Sequence, residues 1–214
     1  MRYTTVIFDL DGTLLDTIDD IRTSINMGLE KYGYSKHTRE EIINAIGNGS
    51  AFLVNRLIPG GGENPDAEKV LAFHRSFYPE NCDVLTKPFD GITELLKYLS
   101  EREYKLAVAS NKPDNATKQL VKNHFGSMIS VAVGEQPTMQ RKPAPDMAFF
   151  AMRELGSVPE ECVYVGDSEV DIETAKNAGM KCISVSWGYR KRELLLQSGA
   201  EAITDRPEDI KRFV

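Results

Sequence analysis

Long apolar runs are missing from this sequence: no stretch approaches the ~20 residues that a membrane-spanning helix needs. Val6 to Leu10, the apolar segment after Met1-Arg2-Tyr3, is too short for the core of a secretory leader and runs straight into acidic residues. Cysteine is scarce as well. Cys82, Cys162 and Cys182 form no C-x-x-C pair, and their odd number predicts reduced, buried thiols in a cytoplasmic protein. Basic residues are outnumbered: 26 Lys and Arg stand against 32 Asp and Glu, and the net charge of −6 excludes the footprint of a general nucleic-acid binder. No basic run or Lys/Arg-rich helix face suits an anionic membrane surface. His37, His74 and His124 lack metal-ligand spacing, and Gly47-Asn48-Gly49 is too short a fragment for a dinucleotide loop. Repeats and low-complexity segments are absent.

What is present is an alternation of short β-rich runs and helix-length segments. The runs Thr4-Phe8, Lys105-Ala109, Met128-Val133, Cys162-Val165 and Lys181-Val185 are nearly all apolar, as parallel strands covered on both faces must be. Helical stretches lie between them at Gly91-Glu101, Asp114-Asn123, Asp146-Leu155 and Glu169-Ala178. This alternation predicts an α/β fold, a doubly wound parallel sheet with right-handed crossovers.

Residues 16–83 break the rhythm, with helical periodicity and no convincing strand. Ile18, Ile21, Ile25 and Leu29 mark one helical face; Ile42, Ile43 and Ile46, then Phe52, Leu53 and Leu57, continue it. A further helix is expected from Asp66 to Tyr78, after Pro59-Gly60-Gly61-Gly62. The predicted organisation is a core of residues 1–15 and 84–214 with a helical cap domain inserted at 16–83.

The strongest chemical signal is Phe8-Asp9-Leu10-Asp11-Gly12-Thr13. In extended chain Asp9 and Asp11 point to one side, so the end of the first strand presents two carboxylates together. Gly12 allows a sharp turn and close approach to a ligand. Crowded carboxylates repel, which calls for a divalent cation, a shared proton, or both. Their place at the carboxyl edge of an open sheet is where α/β proteins bind ligands.

Three further segments complete the pattern. Ser110-Asn111 follows the run Lys105-Ala109, Lys142 lies in Arg141-Lys142-Pro143-Ala144-Pro145, and Gly166-Asp167-Ser168-Glu169-Val170-Asp171 follows Cys162-Val165. In this order the four segments resemble the motifs of the haloacid dehalogenase-like phosphohydrolases. The likeness covers nearly the whole core, and it implies a Rossmann-like catalytic core and a phosphatase. Asp9 is then the nucleophile that forms an aspartyl-phosphate, Asp11 the proton donor and acceptor, and Lys142 a point charge for the phosphoryl oxygens. Asp9, the Asp11 carbonyl oxygen and Asp167 are the implied Mg²⁺ ligands, with Asp171 either a ligand through water or an orienting group. Ser110 and Asn111, just before Pro113 at a helix start, are placed to receive phosphoryl oxygens; without the other motifs they would read as a helix cap.

Ile46-Gly47-Asn48-Gly49-Ser50 and Ala51 to Leu57, together with Ala109-Ser110-Asn111-Lys112-Pro113, are similar to the phosphoglycolate phosphatase branch. That resemblance implies 2-phosphoglycolate as substrate, with Gly47, Asn48 and Gly49 contacting it and Arg56 facing its carboxylate. A pyrophosphatase, a nucleotide phosphatase and a β-phosphoglucomutase-like phosphomutase share the core. The last would need a cap-loop arginine, which Gly49-Ser50 does not supply. A dehalogenase would lack Asp11, and a non-catalytic phosphate sensor would carry a damaged motif. The expected partner is a small phosphorylated metabolite, with no nucleic acid and no membrane. Trp187-Gly188-Tyr189-Arg190, after the last predicted strand, reads as a packing and loop feature.

Overall fold

The computed structural model describes residues 3–214; Met1 and Arg2, at the head of the segment weighed as a leader, lie outside the described residues. The chain divides into two compact units, Met1–Asp16 with Pro88–Val214, and Thr17–Lys87. No helix among the described residues is long and apolar enough to cross a membrane.

The first unit is built on a six-stranded parallel sheet. Its chain order starts with β1 (Thr5–Phe8), leaves through β2 (Leu15–Asp16) and returns at β3 (Lys87–Pro88). Then follow α5 (Ile92–Ser100), β4 (Lys105–Pro113), α6 (Asp114–Phe125), β5 (Val131–Glu135), α7 (Asp146–Leu155), β6 (Cys162–Gly166), α8 (Glu169–Asn177), β7 (Lys181–Val185), α9 (Arg192–Gln197) and β8 (Ile203–Thr204). The sheet order is β5-β4-β1-β6-β7-β8. All five pairings are parallel, and Phe8 stands opposite both Val108 and Val165. Strand order therefore reverses beside β1, and the carboxyl ends of β4, β1 and β6 meet at the crevice this creates. Both faces of these strands are apolar because both are covered. Ile7, Ala107, Ala109 and Tyr164 pack with Met147, Ala148 and Ala151 of α7 and Ala175 of α8.

The observed strands follow the predicted runs to within a residue or two at most ends, and the larger differences are these. β4 continues to Pro113, its register with β5 shifting between Ala109 and Pro113. The strand expected from Met128 begins at Val131, since Gly126–Met128 forms a 3₁₀ turn. The two-residue β8 is too short to leave a periodic signal.

The second unit holds α1 (Ile18–Lys31), α2 (Arg39–Ala45), α3 (Gly49–Leu57) and α4 (Ala67–Asn81). α1 packs on α2 and α4, and α3 packs on α2 and α4. Thr38 and Glu41 close a capping box on α2, satisfying two orphan N–H groups at its start. The α4 helix carries Pro79 in its last turn and ends at Asn81, beyond the expected Tyr78. Both unit boundaries have visible causes. Asp16 stays with the core, where the Tyr189 hydroxyl donates to its Oδ1 at 3.2 Å. Residues 84–86 stay with the helices, because buried Asp20 of α1 accepts from the N–H groups of Val84, Leu85 and Thr86 at 3.1, 2.9 and 2.9 Å.

Candidate active site

Asp9 is the first residue past β1, and its N–H donates to the Val165 carbonyl at 2.9 Å. The chain then turns tightly: the Leu10 carbonyl accepts from the N–H groups of Thr13, Leu14 and Leu15. Gly12 has φ +87°, and a Cβ there would collide with the Asp167 carboxylate and the Tyr189 ring. Glycine is required at this point for conformation and for space.

Lys142 is buried beside Asp9, its Nζ 2.9 Å from Asp9 Oδ1, 2.8 Å from Asp171 Oδ1 and 3.2 Å from the Tyr164 hydroxyl. Two braces hold it. The Asn111 amide spans the Lys142 main chain, accepting from its N–H at 2.8 Å and donating to its carbonyl at 3.0 Å. The Tyr164 hydroxyl accepts from Lys142 Nζ and donates to the Ala109 carbonyl at 2.9 Å. Asn111, expected to face phosphate, thus has its amide engaged in placing the lysine.

Asp167 follows β6. Its Oδ1 accepts from the Thr13 hydroxyl at 3.3 Å and its Oδ2 from the Tyr189 N–H at 2.7 Å. Asp171 lies on the first turn of α8, where Oδ2 accepts from the Ser168 N–H and hydroxyl at 3.1 and 2.6 Å while Oδ1 faces Lys142. Asp11 Oδ1 pairs with Lys112 Nζ at 2.7 Å, and the lysine side chain is only 2% exposed. Ser110 is buried at the end of the same strand, its hydroxyl accepting from the Lys112 N–H at 3.3 Å. Lys112, Tyr164 and Tyr189 are among the site residues that sequence reasoning misses.

Negative charge is in excess here. Burial pushes the Asp9 carboxyl up to about 7; the charges of Asp171 and Asp11 add to this, and Lys142 opposes it. Burial likewise lifts Asp167 to about 8, reinforced by Asp171 and Asp9 and opposed by the Tyr189 N–H and Arg190. For Lys142 burial disfavours the ammonium, but Asp171 and Asp9 outweigh it and raise the group well above its usual range. Asp9 Oδ1 is buried, and its partner there is the Lys142 ammonium at 2.9 Å. One oxygen from each of Asp9, Asp167 and Asp171 lies within 4.8 Å of the others. A buried, all-carboxylate set with converging oxygens and negative charge in excess fits a hard divalent cation such as Mg²⁺.

This charge excess has a measurable consequence. The two carboxyls titrate near 7 and 8 in the folded protein, against about 3.9 when unfolded. The folded state therefore binds more protons between those limits, and stability falls as pH rises through that window. In chelator, the unfolding temperature is expected to drop from about pH 6 to about pH 8.5, and added Mg²⁺ should raise it more at the higher pH. Thermal unfolding with and without Mg²⁺ at both pH values checks this; an Mg²⁺ effect independent of pH would contradict it.

Gly47, Asn48, Gly49 and Arg56 belong to the helical unit. Gly47 and Gly49 have φ of +121° and +81° at the α2–α3 turn, which splits the periodic stretch 42–57 into two helices. Asn48 is the residue before α3, and Arg56, in its last turn, stacks on the Phe52 ring at 5.6 Å.

The haloacid dehalogenase-like hydrolase family matches residues 6–185, which take in the helical unit, Ser110 in β4, Lys142 in the segment between β5 and α7, and Asp167 just past β6. The chain belongs to this family. Among its relatives, the phosphoglycolate phosphatase of Aquifex aeolicus is 31% identical over 98% of this chain and 95% of its own. That of Cereibacter sphaeroides is 35% identical over 86% of each. A crystal structure from Lactobacillus delbrueckii subsp. bulgaricus, whose phosphoglycolate phosphatase assignment is provisional, superposes with a TM-score of 0.94 at 36% identity. It covers 100% of this chain and 98% of that one. Within the haloacid dehalogenase-like family the protein is a phosphoric monoester hydrolase, and the relatives it resembles here are named phosphoglycolate phosphatases.

Proposed function

We propose that the protein hydrolyses 2-phosphoglycolate through a covalent aspartyl-phosphate on Asp9. The observation that carries this reading is the buried Asp9 carboxylate, paired with Lys142 at 2.9 Å at the carboxyl edge of the sheet. Asp9 attacks phosphorus in line, and the P–O bond to the leaving alkoxide breaks as Asp11 delivers its proton. Water then attacks the same phosphorus, gives its proton back to Asp11, and frees phosphate and Asp9. Lys142 spreads positive charge over the phosphoryl oxygens, and the Lys112 ion pair orients Asp11. Ser110 is assigned to a phosphoryl oxygen; Asn111 acts through Lys142.

Asp9, Asp167 and the Asp11 carbonyl are the proposed Mg²⁺ ligands, and the ion supplies the charge that lets an anionic carboxylate approach an anionic phosphate. Both Asp171 oxygens are engaged by Ser168 and Lys142, which favours its orienting role over ligation. Gly47, Asn48 and Gly49 are assigned to substrate selection and Arg56 to the substrate carboxylate, in line with the phosphoglycolate phosphatase names of the relatives. A cytoplasmic location is part of the same reading, supported by three free thiols.

The test is steady-state kinetics with Mg²⁺ on 2-phosphoglycolate, sugar phosphates, pyrophosphate and nucleotides. 2-Phosphoglycolate is expected to lead in kcat/KM by about tenfold or more, a margin that pocket contacts can supply. A larger value for pyrophosphate or a nucleotide would displace the substrate assignment. Activity should vanish in chelator and return with Mg²⁺, while Ca²⁺, with its looser shell, should restore little. Full turnover after exhaustive chelation would contradict the cation's role.

A further inference from the structure

The segment after β7 does more than pack. The single tryptophan, Trp187, donates its indole Nε1–H to the Thr13 carbonyl at 3.0 Å, and Thr13 in turn donates its hydroxyl to Asp167 Oδ1 at 3.3 Å. Two residues on, the Tyr189 N–H donates to the other oxygen, Asp167 Oδ2, at 2.7 Å. Residues 187 and 189 thus grip both oxygens of one buried carboxylate, one through Thr13 and one directly. Gly188, between them, lies flat against the turn: a Cβ there would collide with the Gly12 carbonyl oxygen and would stand 2.6 Å from Asp167 Oδ2. The far end is pinned where Arg190 pairs with Glu169 of α8 at 3.1 Å.

We infer that Trp187, Gly188 and Tyr189 are positioning residues of the cation site, which fix the direction in which Asp167 presents its oxygens. The inference rests on the proposed assignment of Asp167 as a Mg²⁺ ligand. From this tripeptide one hydrogen bond reaches the carboxylate directly and a second reaches it through Thr13, while Gly188 lies close against it, and together they link it to the turn that follows Asp9. A loop that served only to cover the sheet would have no need for a residue without Cβ at 188 or for an N–H aimed at a carboxylate. Hydrogen bonds of this kind set ligand orientation, and their loss weakens metal affinity by about 10–100-fold.

The experiment is calorimetric titration of Mg²⁺ into metal-stripped protein. It compares the parent with Trp187→Phe, which removes one N–H and keeps the apolar ring, and with Gly188→Ala and Asp167→Asn. Trp187→Phe is expected to raise the Mg²⁺ Kd about tenfold. The activity it loses at low Mg²⁺ should be regained in part as Mg²⁺ is raised, a response that a purely structural defect would not show. Gly188→Ala should weaken binding further, and Asp167→Asn should remove it. Parent-like Kd values in Trp187→Phe, with binding lost in Asp167→Asn, would overturn the inference and leave Asp167 as a ligand. Parent-like binding in Asp167→Asn, or no Mg²⁺ binding by the parent, would overturn the ligand assignment and the inference with it.

Discussion

Replacing Asp9 with Asn is expected to lower kcat by about 10³-fold or more, because an amide does not attack phosphorus and no other group replaces a missing nucleophile. The fold should survive and, in chelator near pH 8, should become more stable. Asp9 is buried among like charges with its carboxyl pushed up to about 7, so its ionised form costs stability that a neutral isostere avoids. Loss of activity together with a higher unfolding temperature separates this prediction from simple misfolding. Phosphatase assays and thermal unfolding of the purified variant check it. Activity within tenfold of the parent would remove Asp9 from the mechanism.

Lys142→Met should be damaging in both respects. Methionine keeps the aliphatic volume and deletes the ammonium that faces Asp9, Asp171 and Tyr164. Breaking a buried pair by removing one partner costs about 3–5 kcal/mol, since the carboxylates remain buried without their counter-charge. The deficit should grow with pH as Asp9 ionises, and shrink toward acid, where Asp9 is neutral. Activity should fall by about 10²–10³, the usual loss when one electrostatic stabiliser is deleted. Denaturant unfolding at two pH values and kcat/KM supply the readouts. A pH-independent stability change would show that the lysine is not the counter-charge of Asp9.

The core is legible because its strands are buried on both faces. Thr5–Phe8, Cys162–Gly166 and Lys181–Val185 therefore read as continuous apolar runs, and the acidic residues that end the first two fall at the sheet's carboxyl edge. Asp9 and Asp167 can be found this way, while Lys142 is found only by its place among the other motifs. Their supports cannot. Lys112 meets Asp11 across 101 residues, and Trp187 meets Thr13 across 174, so no local spacing announces either contact. Tyr164 is similarly hidden, because one tyrosine in an apolar strand looks like any other core residue until its hydroxyl is seen between Lys142 and Ala109. Asn111 shows the opposite case, where the residue stands out in the sequence but its amide turns to the lysine main chain. The helical unit is legible as helices, while its border at Lys87 depends on Asp20 accepting from three consecutive N–H groups, which periodicity does not encode.

The central claim is a covalent phosphoryl group on Asp9, and trapping it is the most direct measurement. Asp11→Asn should slow the water step, which needs a base, more than transfer from p-nitrophenyl phosphate, whose leaving group needs little acid assistance. Phosphoenzyme should therefore accumulate in that variant. Rapid acid quench, borohydride reduction and peptide mass spectrometry should then find residue 9 converted to homoserine, with a burst of p-nitrophenolate approaching one equivalent per active site. Steady turnover with no burst and an unmodified Asp9, or reduction at a different carboxylate, would contradict the account.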